Sequence, residues 1–317
     1  MVFSDAGTLR DGLQALADPT GSLEPQAARR VGFAYGAEVD ASPSAARALY
    51  DSEPVARGVF DRCEEVFQAE RQASLLGAMF DDDASDGAED ATWREPATYA
   101  QQCALTALWS GVGIRPDAVQ GHGVGELAAA QAAGVLGLEA GLRLAIARAR
   151  LGQDDGDSLD ADAAPAAFGA ALGESSPSRP SIVVVDIETG EPVNANATFD
   201  AAYWLRRALQ PASSGDGSGA LSELGADVVV NIGASGPSPG TAADPDAAPT
   251  VIASPVGGPG AGIEPSEAFV RAVARAYEAG LDLAFAGLFA GELRRRVGIP
   301  AYPFQHRRYW LEPARRG

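Results

Sequence analysis

The chain has 317 residues, 46% hydrophobic and 21% charged, a make-up that fits a soluble globular protein of one large or two small domains. Its formal net charge is −19, from 43 acidic against 24 basic residues, every basic one an arginine, and such acidity argues against nucleic acid and anionic membrane as partners. The two cysteines, Cys63 and Cys103, suggest no disulfide framework. No apolar run reaches transmembrane length and no signal peptide is visible, so a cytoplasmic protein is expected.

The first residues read as a helix-bearing lead-in, with Leu9, Leu13 and Leu16 at roughly helical spacing. A short strand, Val31 to Tyr35, ends at the turn residue Gly36. Residues 44 to 71 suggest helices that bury Leu49, Val55, Val59, Phe60, Cys63 and Phe67. Asp81 to Asp90 is an acidic loop that water solvates. A helix from Pro96 to Gly111 would bury Ala104, Leu105, Leu108 and Trp109, followed by a strand, Asp117 to Gly121, and helices from Glu126 and from Leu138 to Leu151. This alternation predicts an α/β fold with a parallel sheet.

Gln153 to Pro180 is rich in Asp, Ala, Ser, Gly and Pro, with Phe168 as its large apolar residue. It reads as a flexible linker, or at most a short helix at Ala163 to Leu172. Ser181 to Ile187 reads as a near-continuous buried strand. A helix follows with Asp200 near its start, then a loop at 213 to 219. Further strands are expected at Val228 to Ile232 and at Thr250 to Ile252, with helices at Pro265 to Gly280 and Leu283 to Leu293. The tail is extended, since Pro300 and Pro303 block helix, and its Tyr302, Phe304, Tyr309 and Trp310 need a surface to lie on.

The stretch Gly121-His122-Gly123-Val124-Gly125-Glu126 stands between a strand and a helix, where enzymes place a nucleophilic serine on a sharp turn. The middle residue is glycine. Acyl transfer through a serine ester needs a nucleophile, a base and an oxyanion hole. The chain has two histidines, His122 beside the turn and His306 in the tail, and neither stands at an obvious base position. His122 reads as an orienting or packing residue, His306 as a tail contact. Glu38, Asp40, Glu126 and Ser235 are polar candidates in strand-end loops without a visible histidine base, and Glu126 more simply caps its helix. The histidines and cysteines make no recognisable metal-ligand set, and no cofactor is expected. Arg148, among alanines, either reaches inward to hold a carboxylate or lies at the surface.

The ordered set of segments resembles the acyltransferase domain of modular type I polyketide synthases. "VGFAYG", "ALYDSEPVARGVFDRCEEVF", the long run from "ALTALWSG" through "GHGVGELAAA" to "IARARL", "FDAAYWLRRAL", "LGADVVVNIGASGPSP" and "YPFQHRRYWLEP" carry it, from about Arg29 to Pro313. The resemblance implies an acyltransferase large-subdomain core, α/β-hydrolase-like, with a short parallel sheet. It divides the chain into the end of a ketosynthase-to-acyltransferase linker (1–28), two core segments (29–152 and 181–293) separated by a flexible linker (153–180), and a post-acyltransferase tail (294–317).

Family members load malonyl-type units from coenzyme A onto a serine and pass them to an acyl carrier protein. By the resemblance, that serine falls on Gly123. The oxyanion loop falls on Gly36, Ala37, Glu38, Val39 and Asp40, with both glutamines missing. Ser235 takes the place of a usual histidine, and Arg148 corresponds to the arginine that grips the malonyl carboxylate. The small ferredoxin-like subdomain and the histidine after it are missing, with 153–180 in their place. Catalytic groups that work as a unit are not replaced by one survivor. The implied protein is a catalytically inactive acyltransferase-like domain that serves as scaffold or docking element. Its expected partners are a ketosynthase, an acyl carrier protein and a trans-acting acyltransferase. The alternatives are residual acyl transfer or hydrolysis, and a module that binds a carboxylate through Arg148.

Overall fold

In a computed structural model, the described residues are 28–39, 42–81, 91–151, 162–173, 177–194, 196–210, 218–233, 249–254 and 265–289. The lead-in helix, most of the acidic loop, Asp40, Ser235 and the aromatic tail with His306 lie outside them.

Five strands, β1 (Val31–Tyr35), β2 (Ala118–Gly121), β3 (Val183–Val185), β4 (Val228–Ile232) and β5 (Thr250–Ser254), form one parallel sheet in the order β3-β2-β1-β4-β5. The expected α/β architecture with a short parallel sheet is therefore present. The central strand is β1, buried along its whole length, with Phe33 opposite Val119 on one side and Val230 on the other. Two aspartates pin its entry: Arg30 N–H donates to Asp227 Oδ2 (2.7 Å) and Val31 N–H to Asp117 Oδ2 (2.8 Å). Each aspartate immediately precedes a neighbouring strand, so the carboxylates tie backbone donors together where the ladders begin.

The helices are α1 (Pro43–Ser52), α2 (Pro54–Arg71), α3 (Leu75–Phe80), α4 (Arg94–Gly111), α5 (Gly125–Ala132), α6 (Leu138–Ala149), α7 (Ala164–Leu172), α8 (Ala201–Leu209), α9 (Ser218–Glu223) and α10 (Pro265–Glu278). Their starts follow local chemistry. Ser42, Ser74 and Asp200 accept from Ala45, Gly77 and Tyr203 N–H, and proline stands in the first turn of α1, α2 and α7. The main core lies between the sheet and α2, α4 and α6. Trp109 is fully buried there against Phe33 and Phe269, and its indole N–H is satisfied by Ser254 Oγ at 2.8 Å.

Four expectations change. Val55 is exposed, while Leu49, Phe60, Cys63 and Phe67 are buried as expected; Val55 sits in the first turn of α2, off its core-facing stripe. The strand at 181–187 shrinks to Val183–Val185, with Val183 and Val184 half-buried, because β3 is an edge strand. The helix expected from Leu283 is a 3-10 turn over Phe285–Phe289, and residues 290–293 lie outside the described ones. Tertiary contact overrides helix propensity there: Ala284 N–H donates to Val112 O, and a Cβ on Gly287 would sit 2.0 Å from Gly111 O. Finally, 164–172 is not flexible linker but the short helix the sequence allowed. Phe168 is 1% exposed, packed with Ala171 and Leu172 in the main core.

Candidate functional site

The turn after β2 has the geometry of a nucleophile elbow. Gly123 has φ +59°, the left-handed region that non-glycine residues enter only under constraint. Close packing demands the flanking glycines. A Cβ on Gly121 would lie 2.4 Å from Glu126 Cα, and one on Gly125 would lie 2.5 Å from Gly36 O. Backbone bonds hold the turn: His122 N–H donates to Tyr35 O at 2.9 Å and Gly125 N–H to His122 O at 2.9 Å. The loop after β1 is held against it, with Gln102 Nε2 donating to Gly36 O at 2.7 Å.

The apex carries no reactive group. A Cβ on Gly123 would point between Ala37, whose Cβ would be 2.9 Å away, and Arg148 Nη2 at 3.9 Å. The structure thus brings Gly123, Ala37 and Arg148 together, with His122 next to the apex in sequence. Glu38 is exposed. The His122 Nε2 atom is buried and lacks a hydrogen-bond partner among the described residues. Burial, and then the charge of Arg148, push the His122 pKa below its ordinary value, so the imidazole is neutral at neutral pH. A neutral imidazole can accept a proton, but Gly123 offers none.

Arg148 leaves the last turn of α6 and meets Glu95 in the first turn of α4. Its Nε lies 3.1 Å from Glu95 Oε2 and donates to Oε1 at 3.2 Å. Desolvation lifts the Glu95 carboxyl above the usual glutamate range, and the charge and hydrogen bond of Arg148 pull the other way. A second pair lies on the other side. Arg207, 8% exposed, donates from Nε to Glu126 Oε2 at 2.7 Å, with Asp186 and Glu188 oxygens each 3.5 Å from its Nη1. Desolvation draws the Arg207 pKa down, but the bond to Glu126 and the charges of Glu126 and Asp186 outweigh it, so the guanidinium stays charged. Glu126, expected as a helix cap, is thus also half of a buried ion pair.

Phe168 from α7 and Trp204 from α8 line the space beside the elbow. What remains beside Gly123, Arg148 and Arg207 is a cavity of ≈ 10 Å³. That is about the room one water needs, far short of an acyl thioester. Sequence reasoning missed Glu95 and Arg207. Glu95 lies 53 residues before Arg148, and no local pattern links them. Among the described residues, no cluster of His, Cys, Asp and Glu could hold a metal ion, and no helix is long and apolar enough to cross a membrane.

A family profile described as "Acyl transferase domain" matches residues 44–156, the stretch that holds the elbow and Arg148. Over that segment the chain is similar to the acyl transferase domain family. Relatives of this acyltransferase-like domain include the phenolphthiocerol synthesis polyketide synthase type I Pks15/1 of Mycobacterium marinum, 27% identical over 397 positions covering 100% of this chain and 18% of the relative. The polyketide synthase GfsE of Streptomyces halstedii is 28% identical, over 100% of this chain and 10% of its own length. The chain thus spans less than a fifth of these multidomain relatives. The first alignment is 397 positions long for 317 residues, so about 80 positions of that relative have no counterpart here. The acyltransferase domain of the second module of the salinomycin polyketide synthase shares the fold at TM-score 0.73 and 24% identity, over 96% of this chain and 88% of that one. The acyl transferase domain of ZmaA does so at TM-score 0.73 and 14% identity, over 92% and 86%.

Proposed function

We propose that this chain is a catalytically inactive acyltransferase-like domain of a polyketide synthase. It works in the cytoplasm as a structural spacer between a ketosynthase and an acyl carrier protein, while a separate acyltransferase supplies the acyl units. The observation that carries this reading is the elbow itself: its backbone is intact, its apex is Gly123, and Ala37 and Arg148 fill the space toward which a nucleophile would point. Losing one catalytic group from a unit forfeits most of its rate, and this chain also lacks a histidine between 123 and 305. The unmatched 80 or so positions are what the loss of a small subdomain would leave, with residues 153–180 in its place.

The scaffold survives the loss of chemistry because the two depend on different residues. Gly121, Gly125, Gln102 and the apolar faces of α2, α4 and α6 maintain the turn and the core whether or not an acyl group binds. The test is deletion of residues 29–293 from the host synthase, followed by measurement of ketosynthase dimerisation and solubility. A spacer role predicts that both are lost; an unchanged, soluble ketosynthase dimer refutes it. The Glu95 contact on Arg148 counts against the alternative of a carboxylate-docking module, because the expected clamp is already engaged.

A further inference from the structure

We infer that Glu95 is a built-in carboxylate ligand: it occupies the guanidinium of Arg148 and leaves the elbow pocket neutral and self-filled. Three features point to this. Glu95 Oε1 accepts a hydrogen bond from Arg148 Nε at 3.2 Å, and Oε2 lies 3.1 Å from the same nitrogen, close enough to neutralise the guanidinium charge. The same guanidinium directs Nη2 to within 3.9 Å of where a Gly123 side chain would begin, so Arg148 is aimed at the elbow and not at solvent. The second arginine lining the pocket, Arg207, is likewise matched, by Glu126, with Asp186 and Glu188 nearby. Among the described residues, an incoming carboxylate would therefore meet two arginines already matched by glutamates, in a space that Phe168 helps line.

The arrangement costs desolvation. The Glu95 side chain is 34% exposed and that of Arg148 17%, so the pair is only partly hydrated. Glu95 also stands in the first turn of α4, where the N–H dipoles favour its negative charge, and Arg148 stands in the last turn of α6, where carbonyl dipoles favour a cation. The contact is thus pre-organised by two helix ends, and an outside carboxylate would have to displace a ligand that pays almost no entropy to bind. The inference deepens the reading of an inactive domain, and the two fail separately: carboxylate binding by the unaltered chain without acyl turnover would overturn only the inference.

The site should accept a small external carboxylate when its own is removed. Propionate presents the glutamate carboxylate on a chain one carbon longer than the CH2–COO− that Glu95→Ala removes, so it is the probe, with propionamide as the neutral control. Thermal unfolding of the 317-residue chain is followed as propionate is titrated. The unaltered chain should show no saturable rise in Tm. Glu95→Ala should show one, propionamide should give none, and Glu95→Ala combined with Arg148→Ala should lose at least ten-fold in apparent affinity. Glu95→Ser, whose hydroxyl suits a helix start, replaces Glu95→Ala if the latter fails to fold. A saturable response in the unaltered chain, a response to propionamide equal to that with propionate, or no response in a folded Glu95 variant overturns the inference.

Discussion

Arg148 Nε lies 3.1 Å from Glu95 Oε2, across 53 residues of sequence. The arginine that resemblance assigns to a substrate carboxylate is held by a carboxylate of its own chain. The same guanidinium meets Glu95 through Nε and turns Nη2 toward the elbow, 3.9 Å from where a Cβ on Gly123 would sit.

Restoring a serine should not restore chemistry. Gly123 has φ +59°, and a Cβ there would approach Ala37 Cβ to 2.9 Å, so Gly123→Ser needs both backbone strain and movement of the β1 loop. Such strain costs about 1–3 kcal/mol. Urea denaturation should show that loss, and incubation with malonyl-coenzyme A should leave the variant unacylated.

Phe168 should behave as a core residue and not as part of a linker. It is 1% exposed between α6 and α8, and truncating a buried phenylalanine to alanine costs about 3–5 kcal/mol. Chemical denaturation of Phe168→Ala measures it. A change near zero would return 153–180 to a flexible linker.

The buried pair Arg207–Glu126 should show strong asymmetry between single and double variants. Arg207→Ala strands a desolvated carboxylate, and breaking such a pair costs about 3–5 kcal/mol. Replacing both residues by leucine should recover much of the loss. Equal and additive effects in the double-mutant cycle would mean the charges do not interact.

Glu126 also sets a pH dependence. Desolvation is the largest cause that holds its carboxyl above the usual range, with Arg207 and Arg148 opposing. The folded chain therefore binds that proton more tightly than the unfolded chain. The resulting stability is fully present below the unfolded pKa and is lost as pH rises through the raised folded value. The difference in unfolding free energy between the unaltered chain and Glu126→Gln should shift in favour of the unaltered chain as pH falls from neutral into the glutamate range. A pH-independent difference contradicts the desolvation account.

Neither cysteine should serve as a substitute nucleophile. Burial pushes the Cys63 thiol up to about 12, and desolvation followed by the nearby Cys63 raises Cys103 well above its ordinary value. Native protein should resist iodoacetamide at neutral pH, and both thiols should react once urea unfolds the chain. Rapid native labelling of either would reopen thiol chemistry.

The sheet is legible because β1 and β4 are buried on both faces and read as apolar runs, β4 interrupted only at Asn231, and because Gly121 and Gly125 mark the elbow at fixed spacing. The edge strand β3 was overread: its valines look like those of β4, and only the sheet order shows that it has a single neighbour. The helix at 164–172 is not decided by sequence, since alanine composition is equally at home in a linker until Phe168 finds a partner surface. Its alanine neighbours leave Arg148 open between an inward clamp and a surface position, and its partner is not legible, because Glu95 pairs through the fold and no sequence period joins α4 to α6.

On the proposed reading, no side chain of this protein attacks a thioester. The direct test incubates the purified chain with malonyl-coenzyme A and an acyl carrier protein, then measures the intact mass of both proteins over time. Unchanged masses are expected for the chain and for the carrier beyond its spontaneous background. A malonyl adduct mapped to this chain, or catalytic loading of the carrier that purification cannot separate from it, would contradict the claim.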